Sequence, residues 1–151
     1  MGRIGYMVAK EAKAFEMKIL YHDRNQRKEE EEQAVGAIYC KKIEDLLQQS
    51  DFVMLVVNLT PQTEKLFGKK ELELMKPTAT LINISRGLVV DQDALVEALQ
   101  NGVIKAAALD VTYSEPPPSA TTSVCRLMMQ NMIESILAAL NGLPIPNEVI
   151  P

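Results

Sequence analysis

Three short segments of this 151-residue chain hold the side chains with the most chemistry to offer. In Thr80-Leu-Ile-Asn-Ile-Ser-Arg-Gly-Leu-Val-Val-Asp91 an apolar run delivers Asn83, Ser85, Arg86 and Gly87 to its end, where Arg86 offers a planar fork of donors to a carboxylate or a carbonyl oxygen. In Ala107-Ala-Leu-Asp-Val-Thr-Tyr-Ser-Glu-Pro116 a second apolar run ends in Asp110, and Glu115 follows just before a proline. The third segment, Gly2-Arg3-Ile4-Gly5, matches the last four positions of a Gly-x-Gly-x-x-Gly phosphate loop, whose glycines let the backbone approach a pyrophosphate at a helix N-terminus. The first glycine of that motif and the strand before it have no counterpart, since the chain opens at Met1, inside the motif.

Asp23 strengthens the third segment. It follows an apolar run at 18–22 and is placed to accept hydrogen bonds from the hydroxyls of an adenosine ribose, as a dinucleotide fold requires. Its carboxylate argues for NAD(H), because it repels a 2′-phosphate. Arg24 and Arg27 offer that same phosphate two cations, so NADP(H) stays open. His22, the single histidine, sits beside Asp23 and reads as a strand-end polar residue. Cys40 and Cys125 are far apart with no second pair near them, which predicts reduced structural thiols and no metal site.

The elements that must position these groups follow from periodicity. Runs rich in valine, isoleucine and leucine alternate with segments of helical period, the pattern of a parallel sheet covered by helices. Strands are predicted at 18–22, 37–40, 52–57, 80–84 and 106–111, and helices at 5–15, 43–49, 69–75 and 91–101, the last stopped by Asn101 and Gly102. The acidic run at 29–32 reads as a solvated face or loop, because adjacent like charges repel. Pro116, Pro117 and Pro118 remove three backbone donors in a row and end the pattern in a loop. Beyond them Val124, Leu127, Met128, Met132, Ile136, Leu137 and Leu140 have the spacing of one amphipathic helix, followed by a proline-rich extended tail. The expected organisation is therefore a dinucleotide-binding unit over 1–118, truncated at its N-terminus, a helix over 119–141 and a tail over 142–151. Its class is α/β, a Rossmann-type doubly wound parallel sheet that is incomplete, with a first strand and a late strand missing.

Bulk properties exclude other classes. A net charge of -4 supplies no basic face for nucleic acid. The apolar runs fall far short of the roughly 20 residues that span a bilayer, and no apolar signal segment opens the chain, so a soluble cytoplasmic protein without a membrane partner is expected.

Taken together, INISRG and ALDVTYSEP resemble the D-2-hydroxyacid dehydrogenases, in particular the glyoxylate/hydroxypyruvate reductases. NLTPQTEKLFG, VVDQDALVEAL and GLPIPNEV are similar to the same family. The resemblance covers Gly2 to Glu115 and resumes near Ser119. It implies hydride transfer from a nicotinamide cofactor, NAD(H) or NADP(H), to a small 2-oxo acid, and the reverse reaction on a 2-hydroxy acid. Arg86 would orient that acid, and Glu115 would raise the pKa of a catalytic histidine. Asn58, Ile84 and Asp110 would lie against the nicotinamide half, Gly2, Arg3 and Ile4 against the pyrophosphate with Gly5 in the same loop, and Asp23 with Arg24 at the adenosine ribose. At Asn58 the family often has a small or hydroxylated residue. A homodimer is also implied, to which the methionine-rich helix could contribute.

The sequence departs from the family in one respect that bears on chemistry. The family's histidine belongs to a Pro-His-Ile-Gly-Ser-Ala-Thr-like segment, whereas this chain passes from Pro118 directly to Ser119-Ala120-Thr121. This reads as an internal deletion of a strand together with the histidine, and the family's separate substrate domain has no counterpart either. Loss of a general acid costs about 10²- to 10⁴-fold in rate. Two alternatives to an active dehydrogenase follow: a non-catalytic dinucleotide-binding or dimerising partner of the corepressor kind, and a truncated inactive product.

Overall fold

The computed structural model describes residues 1–111. The chain divides into two units, Met1–Tyr113 and Ser114–Pro151. The expected helix at 119–141, the tail at 142–151, Cys125 and Glu115 lie outside the described residues.

The first unit opens with helix α1 (Arg3–Ala14), then β1 (Ile19–Tyr21), α2 (Glu29–Val35) and β2 (Ala37–Tyr39). Next come α3 (Ile43–Leu47), β3 (Phe52–Leu55), α4 (Lys69–Leu74) and β4 (Thr80–Asn83). A 3₁₀ turn (Gly87–Val89), α5 (Gln92–Gln100) and β5 (Ala106–Leu109) close it. Every strand pairing is parallel, as expected when helices alternate with strands. The strands form two sheets rather than one. One has the order β1-β2, with Ile19 opposite Ala37, and the other β3-β4-β5, with Phe52 opposite Thr80 and Thr80 opposite Ala106. Among the described residues nothing pairs the free side of β1 or of β3, as an incomplete doubly wound sheet requires.

The two sheets have separate cores. Around β3-β4-β5, Leu47, Phe67, Leu72, Leu81, Val89 and Ile104 are essentially sealed from water and form one cluster with Val53, Leu55 and Leu95. The alternation along β3 explains why: Val53 and Leu55 point to the helices, while Phe52, 57% exposed, points away. Around β1-β2 the cluster is only Ala9, Tyr21, Val35 and Ala37.

One expectation needs correction. Of the two readings of the acidic run, loop is the one overturned: Glu29 to Glu32 all lie in the first turn of α2, and exposed Glu29 and Glu30 give it the solvated face that was the other. Carboxylates there face the positive end of the helix dipole, which offsets their mutual repulsion. Three of them also find donors: Glu29 accepts from Gln33, Glu31 pairs with Arg27 and Glu32 accepts from Tyr21. The helix stops at Gly36, whose φ of +68° is left-handed backbone that glycine adopts without strain, and this single residue links α2 to β2.

Candidate functional site

In parallel α/β sheets, loops that follow the carboxyl ends of the strands form the ligand face. β4 carries Asn83 at this end, and Asn83 is 1% exposed. A buried amide must be satisfied, and this one organises the next three residues. Its Oδ1 accepts from the backbone N–H of Ser85 at 2.9 Å and from the Ser85 hydroxyl at 2.7 Å, and its Nδ2 donates to the Arg86 carbonyl at 2.9 Å. Arg86 thereby leaves the sheet in extended backbone, its side chain exposed, with Nη1 donating to the Ser85 carbonyl at 2.7 Å. The 3₁₀ turn that follows is fastened to residues 65–67: Lys65 N–H donates to Leu88 O, Phe67 N–H to Val89 O, and Asp91 N–H to Phe67 O. A hydrogen bond and ion pair from Lys65, the dominant cause, hold the Asp91 carboxyl below its ordinary value, and Asp91 caps α5 through Ala94 N–H.

On the neighbouring strand, Asp110 follows β5 and its backbone N–H donates to the Asn83 carbonyl at 3.0 Å. Arg86 and Asp110 therefore leave adjacent strands at the same end, both exposed. Ile84, directly after β4, is exposed there too. Asn58, beyond the carboxyl end of β3, is exposed, and its carbonyl accepts from Thr63 Oγ1 at 2.6 Å.

The second group gathers at the carboxyl end of β1. Gly2 is the N-cap of α1, exposed, and a Cβ added to it would meet nothing within 4 Å. Arg3 and Ile4 are exposed in the first turn, which contains no acidic residue. Gly5 is close-packed, since a Cβ there would stand 3.1 Å from Met1 Cγ. An uncapped helix N-terminus, with free N–H groups and no competing carboxylate, fits a pyrophosphate. Asp23 follows β1, half-buried, with its Oδ2 2.7 Å from the N-terminal ammonium. Burial acts to raise its carboxyl, but the ammonium and the backbone N–H groups of Asn25 and Arg24 outweigh that and hold it below the ordinary value. It is thus an ionised acceptor, the chemistry a ribose diol needs.

The basic neighbours of Asp23 differ. The Arg24 side chain is exposed. Arg27 is engaged: its guanidinium contacts Glu31 at 2.5 Å and the Met1 carbonyl at 2.7 Å, and lies 4.6 Å from the centre of the Tyr6 ring. His22 belongs to this same end, its Nδ1 2.9 Å from the Cys40 carbonyl. Cys40 is a free, buried thiol, which burial pushes up in pKa. Among the described residues no group of histidine, cysteine and carboxylate side chains is arranged to hold a metal ion, and no helix is long and apolar enough to cross a membrane. Tyr21 and Tyr6 carry no expected role in the sequence, yet both contact Arg27.

The family model described as the D-isomer specific 2-hydroxyacid dehydrogenase, NAD binding domain, matches residues 1–133. A glyoxylate reductase of Pyrococcus horikoshii is 54% identical over 116 residues, covering 77% of this chain and 34% of the relative. One from Thermococcus gammatolerans is 51% identical over 115 residues, covering 76% and 34%. The chain thus spans about a third of the length of the curated relatives it matches. Among solved structures, the NAD-complexed D-isomer specific 2-hydroxyacid dehydrogenase of Lactobacillus delbrueckii ssp. bulgaricus aligns with a TM-score of 0.74 and 36% identity over 81% of this chain and 37% of its own. A glyoxylate reductase from Paecilomyes thermophila aligns with a TM-score of 0.72 and 34% identity, covering 92% and 47%.

Proposed function

The chain belongs to the D-isomer specific 2-hydroxyacid dehydrogenase family, and from that premise we propose that it is the dinucleotide-binding portion of a glyoxylate or hydroxypyruvate reductase. What supports this reading is that Asp23, Arg86 and Asp110 all follow the carboxyl ends of parallel strands. In it, N–H groups of the Gly2–Gly5 turn meet the pyrophosphate and Asp23 accepts from the ribose hydroxyls. NAD(H) is preferred, because the Asp23 carboxylate repels a 2′-phosphate and Arg27 is already committed to Glu31 and the Met1 carbonyl.

At the other end Arg86 binds the carboxylate of the 2-oxo acid through its fork and fixes which face of the carbonyl is presented. Asn83 keeps that arginine directed away from the sheet by holding its carbonyl and the preceding serine. The bound nicotinamide supplies the hydride. Proton delivery is the step this chain serves worst. His22, the single histidine, is held at the Cys40 carbonyl beside Asp23, in the β1-β2 half rather than the half that carries Arg86. That location favours a second reading, in which the chain binds dinucleotide as a non-catalytic or dimerising partner. Cytoplasmic residence and a homodimer accompany both readings.

Titration with NADH and NADPH, followed by assay with glyoxylate and hydroxypyruvate, tests the proposal. Saturable binding that favours NADH is expected, with turnover lower than a complete relative's by about 10²-fold or more. No binding of either nucleotide would sink the reading, and full turnover would sink the argument from His22.

A further inference from the structure

We infer that Arg27 is a positioning residue for the cofactor, a clasp that fixes the glycine turn relative to Asp23. This deepens the dinucleotide reading and rests on it. The two groups that must grip one ligand, the Gly2–Gly5 turn and the Asp23 carboxylate, belong to different elements, and the side chain joining those elements is Arg27. Its Nε donates to the Met1 carbonyl at 2.7 Å and its Nη2 reaches the Gly2 carbonyl at 3.5 Å, so the guanidinium holds the backbone on the approach to the turn. Its plane rests against Tyr6 in α1, 4.6 Å from the ring centre, and its Nη1 pairs with Glu31 in α2. The residue is itself anchored from behind. Its backbone N–H donates to the Tyr21 hydroxyl at 2.8 Å, and that hydroxyl donates to Glu32 Oε1 at 2.5 Å.

One half-buried cation therefore touches the glycine turn, α1 and α2, while its main chain is tied to the last residue of β1. Asp23 stands between that strand end and Arg27 in the chain. The small apolar cluster here, Ala9, Tyr21, Val35 and Ala37, takes Met1 and Tyr6 against it but neither Gly2 nor Asp23, so packing holds the flanks of the turn and does not by itself fix the turn's distance from Asp23. Directed bonds do, and the planar guanidinium makes several in a fixed geometry where a lysine ammonium lacks the fork. The same engagement removes Arg27 as a partner for a 2′-phosphate.

Arg27→Met and Arg27→Lys in the full chain test this with two ligands of different reach: ADP-ribose, which spans turn and carboxylate, and adenosine, which lacks the phosphates. The expected result for Arg27→Met is about tenfold weaker ADP-ribose binding with adenosine binding within about twofold of the parent, and a smaller loss for Arg27→Lys. Equal losses for both ligands would mean that Arg27 merely supports the fold, and would overturn the inference. If Arg27→Met does not fold, the Arg27→Lys ratio decides. Amide exchange at residues 3–6 without ligand reads the clasp separately: faster exchange in either variant supports it, and unchanged exchange overturns it. A parent chain that binds neither ligand overturns the dinucleotide reading instead.

Discussion

Around β3-β4-β5 thirteen buried residues form a single hydrocarbon cluster, whereas around β1-β2 four do, and one of those is a tyrosine. The second sheet compensates with directed contacts: Arg27 to two carbonyls and a glutamate, Tyr21 to Glu32, Tyr39 to the Asp23 carbonyl at 3.1 Å, and Lys13 to the Ala34 carbonyl at 2.9 Å. Hydrophobic burial is strong but indifferent to direction, while hydrogen bonds contribute less net free energy and specify geometry. Arg86 is thus carried on a platform set by packing, and Asp23 on one set by donors and acceptors. The difference predicts unlike responses to mutation, salt and pH.

The largest effect belongs to the packed half. Leu72→Ala, at a position with no exposure, should cost about 2–5 kcal/mol in a urea or thermal melt. A cost near zero would mean that this core is no better packed than the other, and the contrast would fail. Next is Asn83→Ala, which leaves the Ser85 N–H and the Arg86 carbonyl without their partner and should cost about 1–3 kcal/mol. Asn83→Asp, which keeps the acceptor and loses the donor, should separate the two bonds. If both variants melt like the parent, the polar turn is incidental to the packed half.

Tyr21→Phe is the corresponding change in the polar half, with an expected cost of about 0.5–1.5 kcal/mol. Amide exchange should accelerate in α2 and around Arg27 while Leu81 stays protected; uniform acceleration would argue that the two sheets share one cooperative unit. The smallest effect is a titration. Burial, then the hydrogen bond to Glu32, pushes the Tyr21 phenol from 10.0 up to about 12. Because the folded value is raised, this stabilisation is complete below pH 10 and is lost as pH climbs from 10 through about 12. Spectrophotometric titration should resolve one phenol ionising late, and Glu32→Gln should bring that ionisation down.

Much of the packed half was legible in the sequence. Its strands are continuous apolar runs and its helices have the 3.6-residue period, so β3, β4, β5, α4 and α5 begin and end within a few residues of expectation. Strand ends were overestimated, since residues 56, 57 and 84 are apolar but follow the last ladder pairs. The polar half was less legible. Helix α2 announces itself by no apolar stripe, only by four glutamates whose repulsion left a solvated face and a loop both open, and it is the dipole and the donors of Arg27 and Tyr21 that make a helix of them. Asp23 and Arg86 were visible because charged residues at strand ends carry a chemical meaning. Asn83 and Arg27 stood out as well, as a strand-end amide and a candidate cation for a 2′-phosphate, but their hold on backbone carbonyls was not legible, since no sequence pattern names a carbonyl as a partner.

One small joint has a consequence for the history and the engineering of the chain. Only Gly36 separates α2 from β2. A linker of one left-handed residue has no slack, so β2 inherits its alignment from the length of α2 rather than from its own side chains. A single added residue would offset the ladder by one step and exchange the places of buried Ala37 and of Ile38, which is 51% exposed. Neither the glycine nor the length can change freely at this point, and insertions or fusions belong in connections with residues to spare.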